Sequence, residues 1–170
     1  TDVLGTRYPI IQAPMGWIAR AQLASAVSNA GGMGIIETSS GELDNIKLEI
    51  EKMRDLTDKP FGMNVALSYV KGTNIVEFVI EQGIKFVTTS SGSPNVCTSA
   101  FQEAGITVFH VVPTLEMATK AISAGVDGLI VEGGEGGGFK NPSPVSTMVL
   151  LPLIRAAFDV PIIAAGGISD

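Results

Sequence analysis

Residues 125–139 read Gly-Val-Asp-Gly-Leu-Ile-Val-Glu-Gly-Gly-Glu-Gly-Gly-Gly-Phe, and this stretch organises the rest of the chain. Residues 129–131 form a short apolar strand, and five of the six residues after Glu132 are glycine. Glycine has no Cβ, so backbone N–H groups in such a loop can approach a ligand closely. Successive N–H groups form concave sites for anions, and the stretch therefore predicts a phosphate-binding turn at the end of a strand.

A second glycine pair, Gly166-Gly167, follows the next apolar strand, which is predicted over residues 160–165. Neighbouring parallel strands that both end in glycine indicate one ligand held at one end of a sheet. The alternative is that residues 133–138 form a flexible surface loop between two elements. The repeated pattern favours the ligand site.

The composition excludes several classes of protein. The chain has 170 residues, 45% of them hydrophobic, with no apolar run near the roughly 20 residues of a membrane span. A formal net charge of −6 argues against a nucleic-acid partner, which needs a basic face. The single cysteine, Cys97, allows no intramolecular disulfide. These features predict a cytoplasmic, globular protein with no membrane partner.

Hydrophobic patterning along the chain predicts a regular alternation of strands and helices. Apolar runs without polar alternation are typical of parallel strands that helices cover on both faces. The predicted strands are residues 8–15, 33–37, 61–67, 86–89, 107–112, 129–131 and 160–165. The predicted helices are residues 20–30, 42–56, 74–82, 95–104, 115–124 and 146–158.

Two α/β architectures fit seven strands and six helices: an eight-unit barrel and an open doubly wound sheet. An open sheet concentrates its polar and glycine signals at one switch point, whereas here they follow most of the strands. We therefore predict a (β/α)8 TIM-barrel type, truncated after the seventh strand. Residues 1–170 are expected to be one domain that lacks the last helix, strand and helix of a complete barrel.

Five motifs make the chain resemble the nitronate monooxygenase family, formerly 2-nitropropane dioxygenases, which includes the flavin-dependent enoyl-acyl-carrier-protein reductases. They occur in the order and spacing of that family and cover essentially the whole chain. The motifs are Pro-Ile-Ile-Gln-Ala-Pro-Met-Gly (9–16), Gly-Gly-Met-Gly-Ile-Ile (31–36), Phe-Gly-Met-Asn-Val (61–65), Glu-Gly-Gly-Glu-Gly-Gly-Gly (132–138) and Pro-Ile-Ile-Ala-Ala-Gly-Gly-Ile (161–168).

The resemblance implies an FMN cofactor over the carboxyl ends of the strands. It assigns the backbone at the end of the first predicted strand to the isoalloxazine ring and Asn64 to a hydrogen bond with the cofactor. It places Glu132 against the ribityl chain or polar ring atoms, and two glycine pairs against the phosphate. The implied cofactor residues are Ala13, Pro14, Met15, Asn64, Glu132, Gly137, Gly138, Gly166 and Gly167. The family completes the phosphate site with a Gly-Thr motif that this chain lacks.

One departure from the family concerns proton transfer. Nitronate-oxidising members carry a His at the end of the glycine-rich loop, and this chain has Phe139 there. Phenylalanine cannot exchange a proton. The only histidine, His110, lies on the predicted strand 107–112 and is the remaining catalytic candidate, although a lone His on an apolar strand is more often structural. No His, Cys or Asp cluster has the spacing of a metal site.

The leading hypothesis is therefore an FMN-dependent oxidoreductase that oxidises nitronates or nitroalkanes with O₂ as a small-molecule co-substrate. One alternative is an NAD(P)H-dependent flavin reductase of the enoyl-acyl-carrier-protein or quinone type. Another is a non-catalytic fragment that binds flavin or phosphate. The sequence leaves the substrate, the electron donor and an oligomeric state open.

Overall fold

Short strands alternate with helices in the computed structural model, which describes residues 1–70, 72, 74–138 and 141–169. The strands are β1 Gly34–Ile36, β2 Phe61–Ala66, β3 Phe86–Ser90, β4 Thr107–Val112, β5 Gly128–Glu132 and β6 Ile162–Ala165. The α-helices are α1 Ala21–Ala30, α2 Leu43–Leu56, α3 Ile75–Glu81, α4 Thr98–Glu103, α5 Leu115–Ser123 and α6 Thr147–Ala157. A 3-10 turn, Pro94–Val96, precedes α4.

The strands form one parallel sheet in the order β1-β2-β3-β4-β5-β6. A doubly wound sheet reverses its strand order at a switch point, whereas a barrel adds each strand beside the previous one. The sequential order, with a helix after every strand but the last, gives a curled half-barrel. The predicted TIM-barrel class is confirmed.

The prediction of a strand over residues 8–15 is wrong, and the described sheet has six strands rather than seven. This segment makes only an isolated parallel bridge, Ile11 with Met33, beside the start of β1. Pro9 and Pro14 offer no N–H to a ladder, so the pairing stops after one bridge. The Met15 carbonyl accepts from the N–H groups of Ile18 and Ala19 in a turn.

Local sequence explains the helices well. On α2, Ile46, Ile50 and Met53 recur at helical spacing and are fully buried against the sheet. Helix α5 starts at Thr114, whose hydroxyl accepts a hydrogen bond from the N–H of Met117 at 3.1 Å. Helix α1 ends at Gly31, where a φ of +99° suits glycine.

The sheet separates two apolar layers. Val108 and Val112 of β4 point into the larger layer, between the sheet and the helices, whereas Phe109 points into the smaller layer inside the half-barrel. There the rings of Phe86 and Phe109 pack with centroids 5.3 Å apart. In the part of the chain that is described, no helix is long and apolar enough to cross a membrane.

Candidate functional site

The two glycine loops meet at the carboxyl ends of β5 and β6. The first glycine loop (residues 133–138) begins beside the second (Gly166-Gly167), because the N–H of Gly133 donates to the carbonyl of Ala165, the last residue of β6, at 3.0 Å. The Thr147 hydroxyl, in the first turn of α6, lies 2.8 Å from the carbonyl oxygen of Gly166. The residues that the sequence assigns to one phosphate therefore lie at one end of the sheet.

The glycines of these loops differ in what surrounds them. A Cβ on Gly133 would lie 2.3 Å from the Thr147 nitrogen, and one on Gly166 would lie 2.8 Å from the nitrogen of Gly136. The close approach of α6 therefore requires glycine at position 133, and the close approach of the two loops requires it at position 166. Apart from its chain neighbours, a Cβ on Gly137 or Gly138 would meet no atom of the described residues within 4 Å, so these two glycines are not packed against that part of the chain. Of the glycines in the two loops, only this pair leaves its surroundings free for a ligand.

The amino end of α6 is occupied by Glu135. Its carboxylate accepts hydrogen bonds from the Ser146 hydroxyl at 2.6 Å and from the Thr147 N–H at 2.9 Å. These bonds, led by that from Ser146, lower the pKa of Glu135 to about 2. The Ser146 hydroxyl and the Thr147 N–H at this helix terminus are thus engaged by a carboxylate and not free for an anion. The N–H groups of Gly166 and Gly167 make no hydrogen bond within the described ranges.

Glu132 ends β5 on the face that points inside the half-barrel. Burial raises the pKa of its carboxyl group, which favours the neutral form. A Cβ on Gly136 would come within 2.4 Å of Glu132 Oε1, so the missing side chain at that position makes room for the carboxyl group. A cavity of about 20 Å³, roughly the space of one water, lies between Glu132, Pro113 and Pro144.

Asn64 lies on the same inner face, on β2, and is 4% exposed. Its Nδ2 donates to the Thr88 hydroxyl at 3.0 Å and lies 3.2 Å from the Thr88 carbonyl oxygen. The side-chain amide is therefore fixed by β3. Its predicted bond to a cofactor stays a prediction.

Ala13, Pro14 and Met15 form an exposed segment at the barrel mouth, next to the end of β1. The Gln12 side chain anchors it, with Nε2 donating to the Ala13 carbonyl at 2.6 Å and Oε1 accepting from Ile35 N–H at 3.2 Å. The segment thus presents backbone and apolar side chains, as a wall for a planar ring requires.

Sequence reasoning missed Glu37, the residue after β1, which is 4% exposed. Its carboxylate accepts from the N–H of Trp17 at 3.2 Å and from the N–H of Ser39 at 2.6 Å, and it pairs with Arg20 at 3.5 Å. Trp17 has a φ of +63°, a region that costs a bulky residue about 1–3 kcal/mol. A charged residue directly after an apolar strand was the available signal.

The structure does not bring His110 to this site. It shares the helix-facing side of β4 with Val108 and Val112, and its Nδ1 lies 2.7 Å from the Thr89 hydroxyl oxygen. Burial lowers the pKa of His110 to about 4, so the imidazole is neutral at pH 7. Phe139, which stands at the family's histidine position, lies outside the described residues.

Other reactive groups of the chain lie elsewhere. Cys97 is buried before α4, and burial raises the pKa of its thiol to about 11, which makes it a poor nucleophile. Asp127, at the opposite end of β5, accepts from the N–H of Val108 at 2.8 Å. Among the residues that the structure describes, no three His, Cys, Asp or Glu side chains cluster as a metal site would require.

A half-barrel of sequential parallel strands, with glycine loops meeting at their carboxyl ends, defines a protein of the TIM-barrel class. Within that class the chain belongs to the nitronate monooxygenase family, whose model matches residues 1–75 and 69–170.

Known proteins of different activities resemble the chain. It is 36% identical over 173 positions to a (3aS,4S,5R,7aS)-5-hydroxy-7a-methyl-1-oxo-octahydro-1H-indene-4-carboxyl-CoA dehydrogenase of Mycobacterium tuberculosis, covering all of this chain and 48% of that protein. It is 29% identical over 216 positions to a nitronate monooxygenase of Pseudomonas aeruginosa, covering all of this chain and 62% of the relative. The solved structure of FabK from Thermotoga maritima superposes with a TM-score of 0.94 at 37% identity, covering 99% of this chain and 54% of that one. The chain thus spans about half the length of these relatives.

Proposed function

We propose that this chain supplies the cofactor-binding half of a flavin-dependent oxidoreductase that uses FMN. The observation that carries the proposal is the meeting of both glycine loops at the carboxyl ends of β5 and β6, on the side of the sheet that bears Glu132 and Asn64. Flavin enzymes need phosphate donors, an apolar wall for the ring and one or two fixed polar contacts. Residues that suit each of these three roles lie among the described residues, and this supports the proposal.

The residues fit an FMN group in detail. Gly137 and Gly138 are not packed against the described part of the chain, and the N–H groups of Gly166 and Gly167 are available as donors to its phosphate. A doubly charged phosphate can be held by such donors without a basic side chain. Bound FMN would supply reversible two-electron chemistry between a donor and an acceptor.

The polar residues of the chain would orient that group. We assign Ala13, Pro14 and Met15 to the apolar wall beside the flavin ring. The Asn64 amide is assigned to a polar contact with that ring. Glu132, with its raised pKa, can donate a hydrogen bond from the protonated carboxyl or accept one when ionised. These roles hold polar atoms in place and do not require a general base.

For the substrate we infer an acyl thioester, the class that the name of the CoA dehydrogenase gives. That dehydrogenase would take electrons from its thioester, so NAD(P)H as the electron donor follows only from the alternative of an enoyl thioester reductase. The CoA dehydrogenase aligns over 173 positions, only three more than the 170 residues of this chain. The alignment with the nitronate monooxygenase has 216 positions, so at least 46 of them (216 less 170) have no counterpart here. The similarity to FabK supports the same substrate class.

Nitronate oxidation with O₂ is the second candidate, and the family membership favours it. Its weakness is position 139, where phenylalanine replaces the proton-handling histidine of the nitronate-oxidising members. An already anionic nitronate needs no base, so this candidate applies to nitronates rather than to neutral nitroalkanes.

Anaerobic reduction of the purified protein tests both candidates. The flavin absorbance is followed after addition of NADH, NADPH or propyl-2-nitronate, and the reduced protein is then mixed with an enoyl-CoA or with O₂. Bleaching by a nicotinamide donor and recovery with the thioester support the first candidate. Bleaching by the nitronate alone supports the second. A protein that purifies without flavin and does not take up added FMN contradicts both.

A further inference from the structure

Trp17 stands out as an exposed aromatic side chain at the barrel mouth. Its side chain is 70% exposed, although large aromatic residues normally contribute their area to a core. Gly16 separates it from the segment Ala13 to Met15. It lies beside the end of β1, because its N–H donates to the carboxylate of Glu37. An exposed indole in this position borders the surface from which a substrate would enter.

The backbone of Trp17 is held in an unfavourable conformation. Its φ of +63° lies in the left-handed region, where a bulky residue persists only if its surroundings enforce it. Glu37 provides the restraint through the bond to the Trp17 N–H, and its own position is fixed by Ser39 and Arg20. A strained residue that a buried carboxylate holds at the mouth of a site points to a role in binding.

One face of the indole is already covered. The guanidinium carbon of Arg20 lies 5.2 Å from the ring centroid of Trp17, within cation–π range. Met15 and Ile18, 37% and 63% exposed, extend the apolar surface beside the ring. The other face of the ring is therefore available for a second planar group.

From these contacts we propose that Trp17 stacks on the heteroaromatic ring of a nucleotide co-substrate, and that Glu37 is the positioning residue that presents it. The inference rests on the proposed oxidoreductase function, which calls for a nicotinamide nucleotide or a CoA thioester. Both ligands combine an aromatic base with phosphate. Stacking of a base on an aromatic side chain tolerates different bases because each offers a π-face.

Tryptophan fluorescence of the flavin-loaded protein tests the proposal directly. The chain contains one tryptophan, and the difference between the wild type and Trp17→Phe isolates its emission in any longer protein. Excitation at 295 nm avoids absorption by the probes NAD⁺, nicotinamide mononucleotide, AMP and CoA. We expect saturable quenching of this emission. Quenching by the mononucleotide identifies the nicotinamide end, and quenching by AMP and CoA identifies the adenine end.

Steady-state kinetics give the second readout. Trp17→Ala should raise KM for the nucleotide about tenfold with little change in kcat, and Trp17→Phe should stay within about threefold of the wild type because it keeps a ring. Glu37→Gln should raise KM in the same direction. Tyr8→Ala is the matched control, because Tyr8 is an exposed aromatic paired with Arg7 at 4.9 Å near the start of β1. Its KM should be unchanged.

The flavin content of each variant separates this inference from the proposed function. If the wild type binds flavin and is reduced, but no probe quenches Trp17 and Trp17→Ala keeps the wild-type KM, the stacking role is overturned while the oxidoreductase stands. If flavin is absent, the proposed function fails, and the quenching titration still decides whether the ring binds a nucleotide.

Discussion

His110 on β4 and Glu132 on β5 lie on neighbouring strands but on opposite faces of the sheet. His110 is buried against the helices, where Thr89 supplies its hydrogen-bond partner. Glu132 points into the half-barrel and ends at the glycine loops. On the helix-facing side the imidazole is buried and has a hydrogen-bond partner on the next strand. On the inner side the polar groups lie toward the carboxyl ends of the strands. From this difference we expect a structural role for the first face and propose ligand binding at the second.

The largest expected effect tests the packing of the loops on the inner side. Gly133→Ala places a Cβ 2.3 Å from the Thr147 nitrogen, and one of the two backbones must move. We expect a loss of about 3 kcal/mol in the free energy of unfolding, the upper end for overpacking. Chemical denaturation measures it.

Gly137→Ala is the matched control, because no atom lies within 4 Å of the added carbon. Its stability should stay within about 0.5 kcal/mol of the wild type. If Gly137 borders the phosphate, its affinity for FMN should nevertheless fall. Equal stability losses in both variants would contradict the distinction between packed and open glycines.

Much of the fold follows from the sequence because helical spacing and strand length are local signals. Residues 42–56 place apolar side chains three and four apart, and α2 matches that prediction closely. Residues 8–15 have the apolar character of a strand. Pro9 and Pro14 have no backbone N–H to donate, however, and the pairing is therefore limited to one bridge. Composition alone does not show which N–H groups a ladder needs.

The site was less predictable, for two physical reasons. Strand 107–112 is apolar on both faces, so alternation gives no signal for the face on which His110 lies. Glu135 reaches Ser146 and Thr147 across a loop, and such a bond depends on the loop path rather than on spacing in the sequence. The glycine loops were predictable because both follow strands that are neighbours in the sheet.

The second prediction sharpens the role of the helix side through pH. The pKa of His110 is about 4 in the folded protein and near 6.5 when unfolded, so the unfolded state binds an extra proton between these values. The wild type should therefore lose on the order of 2–3 kcal/mol of stability between pH 7 and pH 4.5. The asparagine of His110→Asn cannot titrate, so the stability that this variant loses between the same two pH values should be smaller than the wild-type loss by that amount.

Urea denaturation of both proteins at the two pH values measures the difference. If the difference in unfolding free energy between the wild type and His110→Asn were the same at both pH values, His110 would not titrate as a buried group. If the variant instead abolishes flavin reduction at unchanged flavin content, the expectation of a purely structural role is wrong and the predicted catalytic role of His110 is supported.

A third, smaller effect concerns Asn64. Asn64→Ala removes the amide that donates to Thr88, at a cost of about 1–2 kcal/mol for a buried hydrogen-bonded group. Thr88→Val removes the hydroxyl acceptor and leaves the amide in place. If Asn64 also contacts the cofactor, FMN affinity should fall in Asn64→Ala and remain in Thr88→Val. Equal affinity in the two variants would leave Asn64 with a purely structural role.

The smallest effect is expected at Glu132, which is only half-buried, so solvent screens much of the burial penalty. Because burial raises its pKa, the folded state holds the proton to higher pH than the unfolded state does. Stability contributed by the neutral carboxyl is present below the unfolded pKa near 4.5 and declines as pH rises through the raised folded pKa. Glu132→Gln should therefore be as stable as the wild type at pH 4 and slightly more stable at pH 7, by less than about 1 kcal/mol.

The pH dependence expected at Glu132 is opposite in direction to that expected at His110. Thermal melts of the two variants across one pH series therefore distinguish the helix-facing side of the sheet from the inner side. If Glu132→Gln were less stable than the wild type at pH 7, the ionised carboxylate would have a stabilising partner at the barrel mouth, and Glu132 would have a structural role.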